Sequence, residues 1–217
     1  MTTLSEQKQL SGLVVWLGRT VWLLILWLLL PHLGGGALLA TDQSAWYLAR
    51  ASGTVAYLTM TASMLWGLLL SSKLVKDIVP PALSLAMHNT LSWIALGLTV
   101  FHAVALLFDH YYTFTVANLL IPFTGPYSPL WVGLGIIGFY LMLLTTLSFY
   151  VRKQIGQKNW RRLHFVTFGI YLLVTVHGLA AGTDAALLSG MFGVSAVSVI
   201  FLTVYRILAA VTERRKR

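Results

Sequence analysis

Apolar residues fill long blocks of the chain, and polar residues gather in the short stretches between them. A helix needs about 20 predominantly apolar residues to cross the hydrocarbon core of a bilayer. Six blocks reach that length, at 12–33, 46–70, 83–108, 130–151, 163–181 and 190–210. The apolar stretch of a cleaved signal runs only about 7–15 residues, so the first block reads as a retained span. The pattern predicts an all-α membrane protein, a six-transmembrane-helix bundle forming one domain over 1–217. One connection is long: 109–129, rich in Pro and Gly near its end. Unstructured loops of that length are uncommon and often functional. It reads either as a lid over the outer face or as a surface loop with one short helix.

Composition agrees with spans and excludes a water-soluble domain. The chain is 58% hydrophobic and 10% charged, with a mean hydropathy of +0.79, against about 25% charged residues in a soluble domain. The net charge of +9 invites a nucleic-acid reading until the cations are placed. Lys8, Arg19, Lys73, Lys76, Arg152, Lys153, Lys158, Arg161, Arg162, Arg206, Arg214, Arg215, Lys216 and Arg217 all fall on one side of the expected bundle. Only Arg50 falls on the other. Cationic loops stay in the cytoplasm, so both termini are expected there. The positive charge is then topology and contact with anionic membrane lipid, with no nucleic-acid partner.

Intramembrane polar groups narrow the chemistry further, because ionisable residues in a bilayer are costly and often functional. The six acids, Glu6, Asp42, Asp77, Asp109, Asp184 and Glu213, all sit at or beyond span ends. That weighs against an ion-coupled transporter, which usually needs a buried carboxylate. The absence of cysteine excludes thiolate zinc sites, iron–sulfur clusters and covalently attached c-type haem within the chain. Histidine is left. His32 and His110 lie at outer ends, while His88 and His102 lie inside the third span and His164 and His177 inside the fifth.

The spacing of these four carries the argument. His88 and His102 are 14 residues apart, a turn of about 1400°, so both face one side about 21 Å apart along the axis. Metal–imidazole bonds are about 2 Å long, so neither helix alone can close a site with its two histidines. Alternating spans place His88 level with His164 and His102 level with His177. Two histidines facing each other across a gap can ligate the iron of a flat macrocycle from both sides. The fifth span fits less simply: His164 and His177 are 13 apart, about 140° short of four turns. A local distortion is expected, with Gly169 or the region near Gly178 as its place.

On these residues the chain resembles the ferric reductase-like transmembrane family, which includes NADPH oxidases, ferric reductases and the haem subunit of bacterial methionine sulfoxide reductase. The carriers are HNTLSWIALGLTVFH, HFVTFGIYLLVTVH, the lead-in NWRRLH and RASG at the start of the second span. The resemblance implies two stacked b-type haems, an inner one on His88 and His164 and an outer one on His102 and His177. It implies electron transfer from a cytoplasmic flavin (FMN or FAD) or flavoprotein to an outer acceptor: a periplasmic reductase, a ferric chelate or oxygen. The flavin–nicotinamide domain of many relatives is not in this sequence. The alternative is a quinol-oxidising b-type cytochrome subunit feeding a periplasmic reductase such as a methionine sulfoxide reductase; a haem-free transporter is third.

Several further residues are candidates. Arg161 and Arg162 suit the propionates of the inner haem. Arg50 suits an outer propionate or an anionic acceptor, unless it pairs with Asp42 or Asp109. Asn89, Thr90 and Thr175 lie close enough in sequence to hold imidazoles in place, although packing accounts for each. Trp93, Phe168 and Tyr171 fall between the two haem levels.

Overall fold

The computed structural model describes residues 43–72, 74–75 and 78–215. The first expected span, with Lys8, Arg19, His32 and Asp42, lies outside the described residues, as do Lys73, Lys76, Asp77, Lys216 and Arg217.

The described chain is all-helical. Helix α1 runs Ser44–Ser71 and α2 runs Pro81–Ala105, continuing as a tight turn over Leu106–Phe108. A short α3, Val116–Leu120, precedes α4, Pro129–Ser148. At the far end of α4 come α5, Arg152–Ile155, and α6, Gln157–His164. Helix α7 spans Val166–Ala181 and α8 spans Ala185–Arg215. Five segments are long and apolar enough to cross a membrane: Ser44–Ser71, Pro81–Phe108, Pro129–Ser148, Gln157–Ala181 and Ala185–Thr212. They match the second to sixth expected spans, and they make the chain a multi-pass integral membrane protein.

Local chemistry sets the helix starts. Pro81 and Pro129 each open a helix at its first position, where the missing N–H has no partner to lose. The spans are apolar on every side rather than on one stripe, so their outward faces expose Leu58, Leu85, Val100, Leu144, Leu172, Val197 and Phe201. In water that would be one continuous aggregation-prone surface, whereas against lipid tails it is neutral. Inward faces are small. Ala45, Ala49, Ser52 and Ala56 form a buried stripe on α1, and Ser84, Ala86, Ala95 and Ala105 are buried on α2. Small residues let helices approach closely where no hydrophobic drive separates them from lipid. Helices α1 and α2 pack together as one pair, α4 and α7 as another, and α8 covers α1 and α7. Tyr57, Leu68, Tyr171, Phe192 and Val199 make the main buried cluster.

The expected distortion is present, but at a different residue. Helices α6 and α7 are separate elements that meet at Phe165, next to His164. Phe168 N–H donates to Phe165 O at 3.2 Å, a tightened turn, and Thr167 Oγ1 donates to His164 O at 2.7 Å. Gly169 sits inside α7 with open space beside it, and Gly178 makes room for the Phe192 ring, so neither breaks the helix.

The long connection is a surface loop carrying one short helix. Thr115 and Asn118 cap α3 reciprocally. Tyr140 Oη donates to Leu120 O at 2.7 Å and Tyr127 Oη to Ala181 O at 3.0 Å, which ties the loop to α4 and α7.

Candidate functional site

The four intramembrane histidines meet in two pairs. His88 on α2 faces His164 at the end of α6, with ring centroids 6.0 Å apart and planes at 77°. His102, further along α2, faces His177 on α7 at 6.3 Å and 75°. The first pair lies toward the end of the bundle that carries Arg152, Lys153, Lys158, Arg161 and Arg162, here called the basic end. The second lies toward the far end. Imidazoles bound to opposite sides of one metal ion, with bonds of about 2 Å, have centroids about 6 Å apart. Both pairs have that separation. Among the described residues no group of three or more His, Asp or Glu converges. Each site thus brings together two imidazoles.

Three of the histidines are seated in the same way on a neighbouring helix. His102 Nδ1–H donates to Ala49 O at 2.6 Å, and a Cβ added to Gly53 would lie 2.8 Å from that nitrogen. His177 Nδ1–H donates to Trp131 O at 2.9 Å, and a Cβ on Gly135 would lie 2.8 Å from it. His88 Nδ1–H donates to Ser63 O at 3.0 Å, and a Cβ on Gly67 would come within 3.0 Å of its ring. In each case the accepting carbonyl precedes the glycine by four residues, one helical turn. The absent side chain lets the ring lie flat on the helix and reach a carbonyl exposed on the turn below. A carbonyl only accepts, so Nδ1 carries the proton and Nε2 keeps its lone pair. Bonds of this kind fix the tautomer of metal-ligating histidines.

His164 is different. Its ring stacks on Trp160 at 5.2 Å and 22°, and among the described residues neither ring nitrogen has a hydrogen-bond partner. Trp160 Nε1 is likewise buried without a partner. Around His88 the polar packing is dense: Ser63 Oγ bonds Ser92 Oγ at 2.9 Å, and Ser92 Oγ donates to His88 O at 2.9 Å.

The other sequence candidates fall mostly outside these contacts. Arg50 forms an ion pair with Asp184 and lies over the Trp46 ring at 3.9 Å. Its acid is thus Asp184, at the start of the last span, rather than Asp109, whose carboxylate accepts from Tyr111 N–H and Tyr112 N–H. Arg161 and Arg162 are exposed on α6 beside His164. His110 is exposed at the far end and joins neither pair. Thr175 Oγ1 donates to Tyr171 O at 2.7 Å and meets Tyr57 Oη at 3.2 Å, so it serves the core rather than a histidine. Backbone carbonyls take the part considered for Asn89 and Thr90. Trp93 Nε1 donates to Tyr150 Oη at 2.9 Å. Tyr171 stacks on Tyr57 at 5.9 Å with Phe168 packed beside them. Gly53 entered from sequence only as the last residue of RASG, with no role given to it, and Tyr57, Gly67, Gly135 and the three carbonyls were not singled out.

One cavity, of about 420 Å³, opens at the far end between Gln43, Trp46, Tyr47, Asp109, Tyr111, Tyr112, Tyr127 and Thr183. Trp46 lies one turn before Ala49 on α1, and Tyr127 bonds Ala181 O, one turn beyond His177, so the cavity is at the same end of the bundle as the His102–His177 pair.

Comparison with models of protein families, with curated proteins and with solved structures finds no match for the chain.

Proposed function

We propose that the chain carries electrons across a bacterial inner membrane with two b-type haems, drawn from a cytoplasmic flavin or flavoprotein and delivered to an acceptor outside. The observation that carries the reading is the pair of facing histidine pairs, with three of the four imidazoles seated on a carbonyl and a glycine. The residues suit such a group. His88 with His164, and His102 with His177, would hold such a group between their rings. Each haem, when bound, supplies a one-electron couple whose potential depends on its axial ligands and surroundings.

The chain's own residues then have definite tasks. Ala49 O, Ser63 O and Trp131 O hold the Nδ1 protons and aim Nε2 of His102, His88 and His177 into the gaps. Gly53, Gly67 and Gly135 set how close the rings come to α1 and α4. The stacked Tyr57 and Tyr171, both buried, fill the space between the two levels and exclude water. Arg161 and Arg162 place positive charge beside the basic-end pair, where haem propionates or an anionic donor would be stabilised. The basic end is the cytoplasmic one in this reading.

The test is electron transfer across a sealed vesicle. Proteoliposomes with the full chain should pass electrons from external reduced flavin to internal ferricyanide, and the His88→Ala variant should not. Equal rates with wild type and with the variant would refute the reading. A second reading, a quinol-oxidising subunit feeding a periplasmic reductase, draws on the far-end cavity and its aromatic lining of Trp46, Tyr47, Tyr111, Tyr112 and Tyr127. It predicts reduction by quinol with no flavin present.

A further inference from the structure

We propose that His164 is a dissociable ligand, so that the basic-end site takes a small neutral π-acceptor molecule, carbon monoxide being the probe, in place of that imidazole. The inference rests on the two-haem reading above and concerns how firmly each ligand is held.

Three observations set His164 apart. Its ring has no hydrogen-bond partner among the described residues and no glycine seat; it is held by one stacking contact, to Trp160 at 5.2 Å. No hydrogen bond holds the stacking ring among the described residues: Trp160 Nε1 is buried without a partner, and the ring's other aromatic contact is with Phe149. The helix also changes at this point: His164 is the last residue of α6, and a single turn residue, Phe165, whose N–H donates to Arg161 O at 3.1 Å, joins it to α7. Helix α6 is eight residues long, with no buried residue. Helix α7 is anchored by buried Ile170, Tyr171 and Thr175. His164 can therefore withdraw with α6 while the packed core of α7 stays in place. His177 has no such freedom, because it sits inside α7 and is fixed to Trp131 O.

The chemistry of the vacated face selects the ligand. Trp160 stands against Phe149, with ring centroids 6.2 Å apart, so the wall behind His164 is aromatic. A small uncharged molecule suits it. The exchange breaks the iron–Nε2 bond of His164 and forms an iron–carbon bond. The imidazole leaves neutral with its lone pair, and no electron or proton changes hands.

The test uses the purified full-length protein in detergent, its haem content measured first, then reduced with dithionite and titrated with carbon monoxide. The expected result is a spectral change in one of the two haems. In His102→Ala, which lacks the far-end site, all of the remaining haem should respond. Trp160→Ala should bind carbon monoxide about 2–10-fold more tightly, the worth of one lost stacking contact. Trp160→Phe, which keeps a stacked ring, should stay near wild type. Two haems with no carbon monoxide response would overturn the proposal alone. So would a response that disappears in His102→Ala, or equal affinity in wild type and Trp160→Ala. A preparation without haem would overturn the two-haem reading as well.

Discussion

The far-end and basic-end histidine pairs are built from the same parts and held with different firmness. At the far end both imidazoles donate to carbonyls, at 2.6 and 2.9 Å, and both rings press on glycines that an added Cβ would bring to 2.8 Å. At the basic end His88 has the looser version, 3.0 Å on both measures, and His164 has only the stack on Trp160. The far-end pair is bound to α1 and α4 by their backbones, so its geometry is set by helix packing. In the basic-end pair only His88 is bound to a neighbouring helix backbone, while His164 is placed by one aromatic contact and the turn at Phe165. Seating on backbone gives rigidity, and seating on a side chain leaves room for exchange.

Removing ligands should have the largest effect. His102→Ala or His177→Ala should cut bound haem from two per chain to one and block outward delivery, while the basic-end haem still reduces; a haem assay with dithionite-reduced spectra reads both. Filling the seats comes next. Gly53→Ala and Gly135→Ala each drive a Cβ into an imidazole, an overpacking cost of about 1–3 kcal/mol. They should loosen or expel the far-end haem without unfolding the bundle, as haem content and thermal unfolding would show. Gly67→Ala meets His88 at 3.0 Å and should shift the basic-end spectrum with less loss of haem. Arg50→Ala removes an ion pair whose acid is 45% exposed, so solvent screening limits the change to about 1 kcal/mol or less in thermal unfolding. Gly169→Ala is the smallest change. Nothing lies within 4 Å of the new methyl, and the gain in helix propensity should stabilise the chain by about 0.5–1 kcal/mol.

Five of the spans were legible because apolar length is a strong signal; the block at 12–33 lies outside the described residues. The pairing of His88 with His164 and His102 with His177 was also legible, from helical rise and alternating direction alone. The seats were not, although they left a trace. Gly53 and Gly67 are 14 residues apart, the same interval as His88 and His102 on the antiparallel neighbour. That match becomes visible only once α1 and α2 are known to pack face to face. The carbonyl partners could not be read, because every residue carries a carbonyl and only packing selects three of them. The break at Phe165 was misplaced at glycine for a related reason. Glycine permits a distortion, but here a rearranged turn closed by Thr167 makes it. Asp184 was missed as the partner of Arg50 because it lies far along the chain.

The central claim is that each histidine pair holds one haem, and the count of haem against protein in the purified full chain, with its absorbance spectrum, tests it most directly. The account predicts b-type bands and two haems per chain, falling to one in His177→Ala. A spectrum without b-type bands, or two haems retained in His177→Ala, would contradict it.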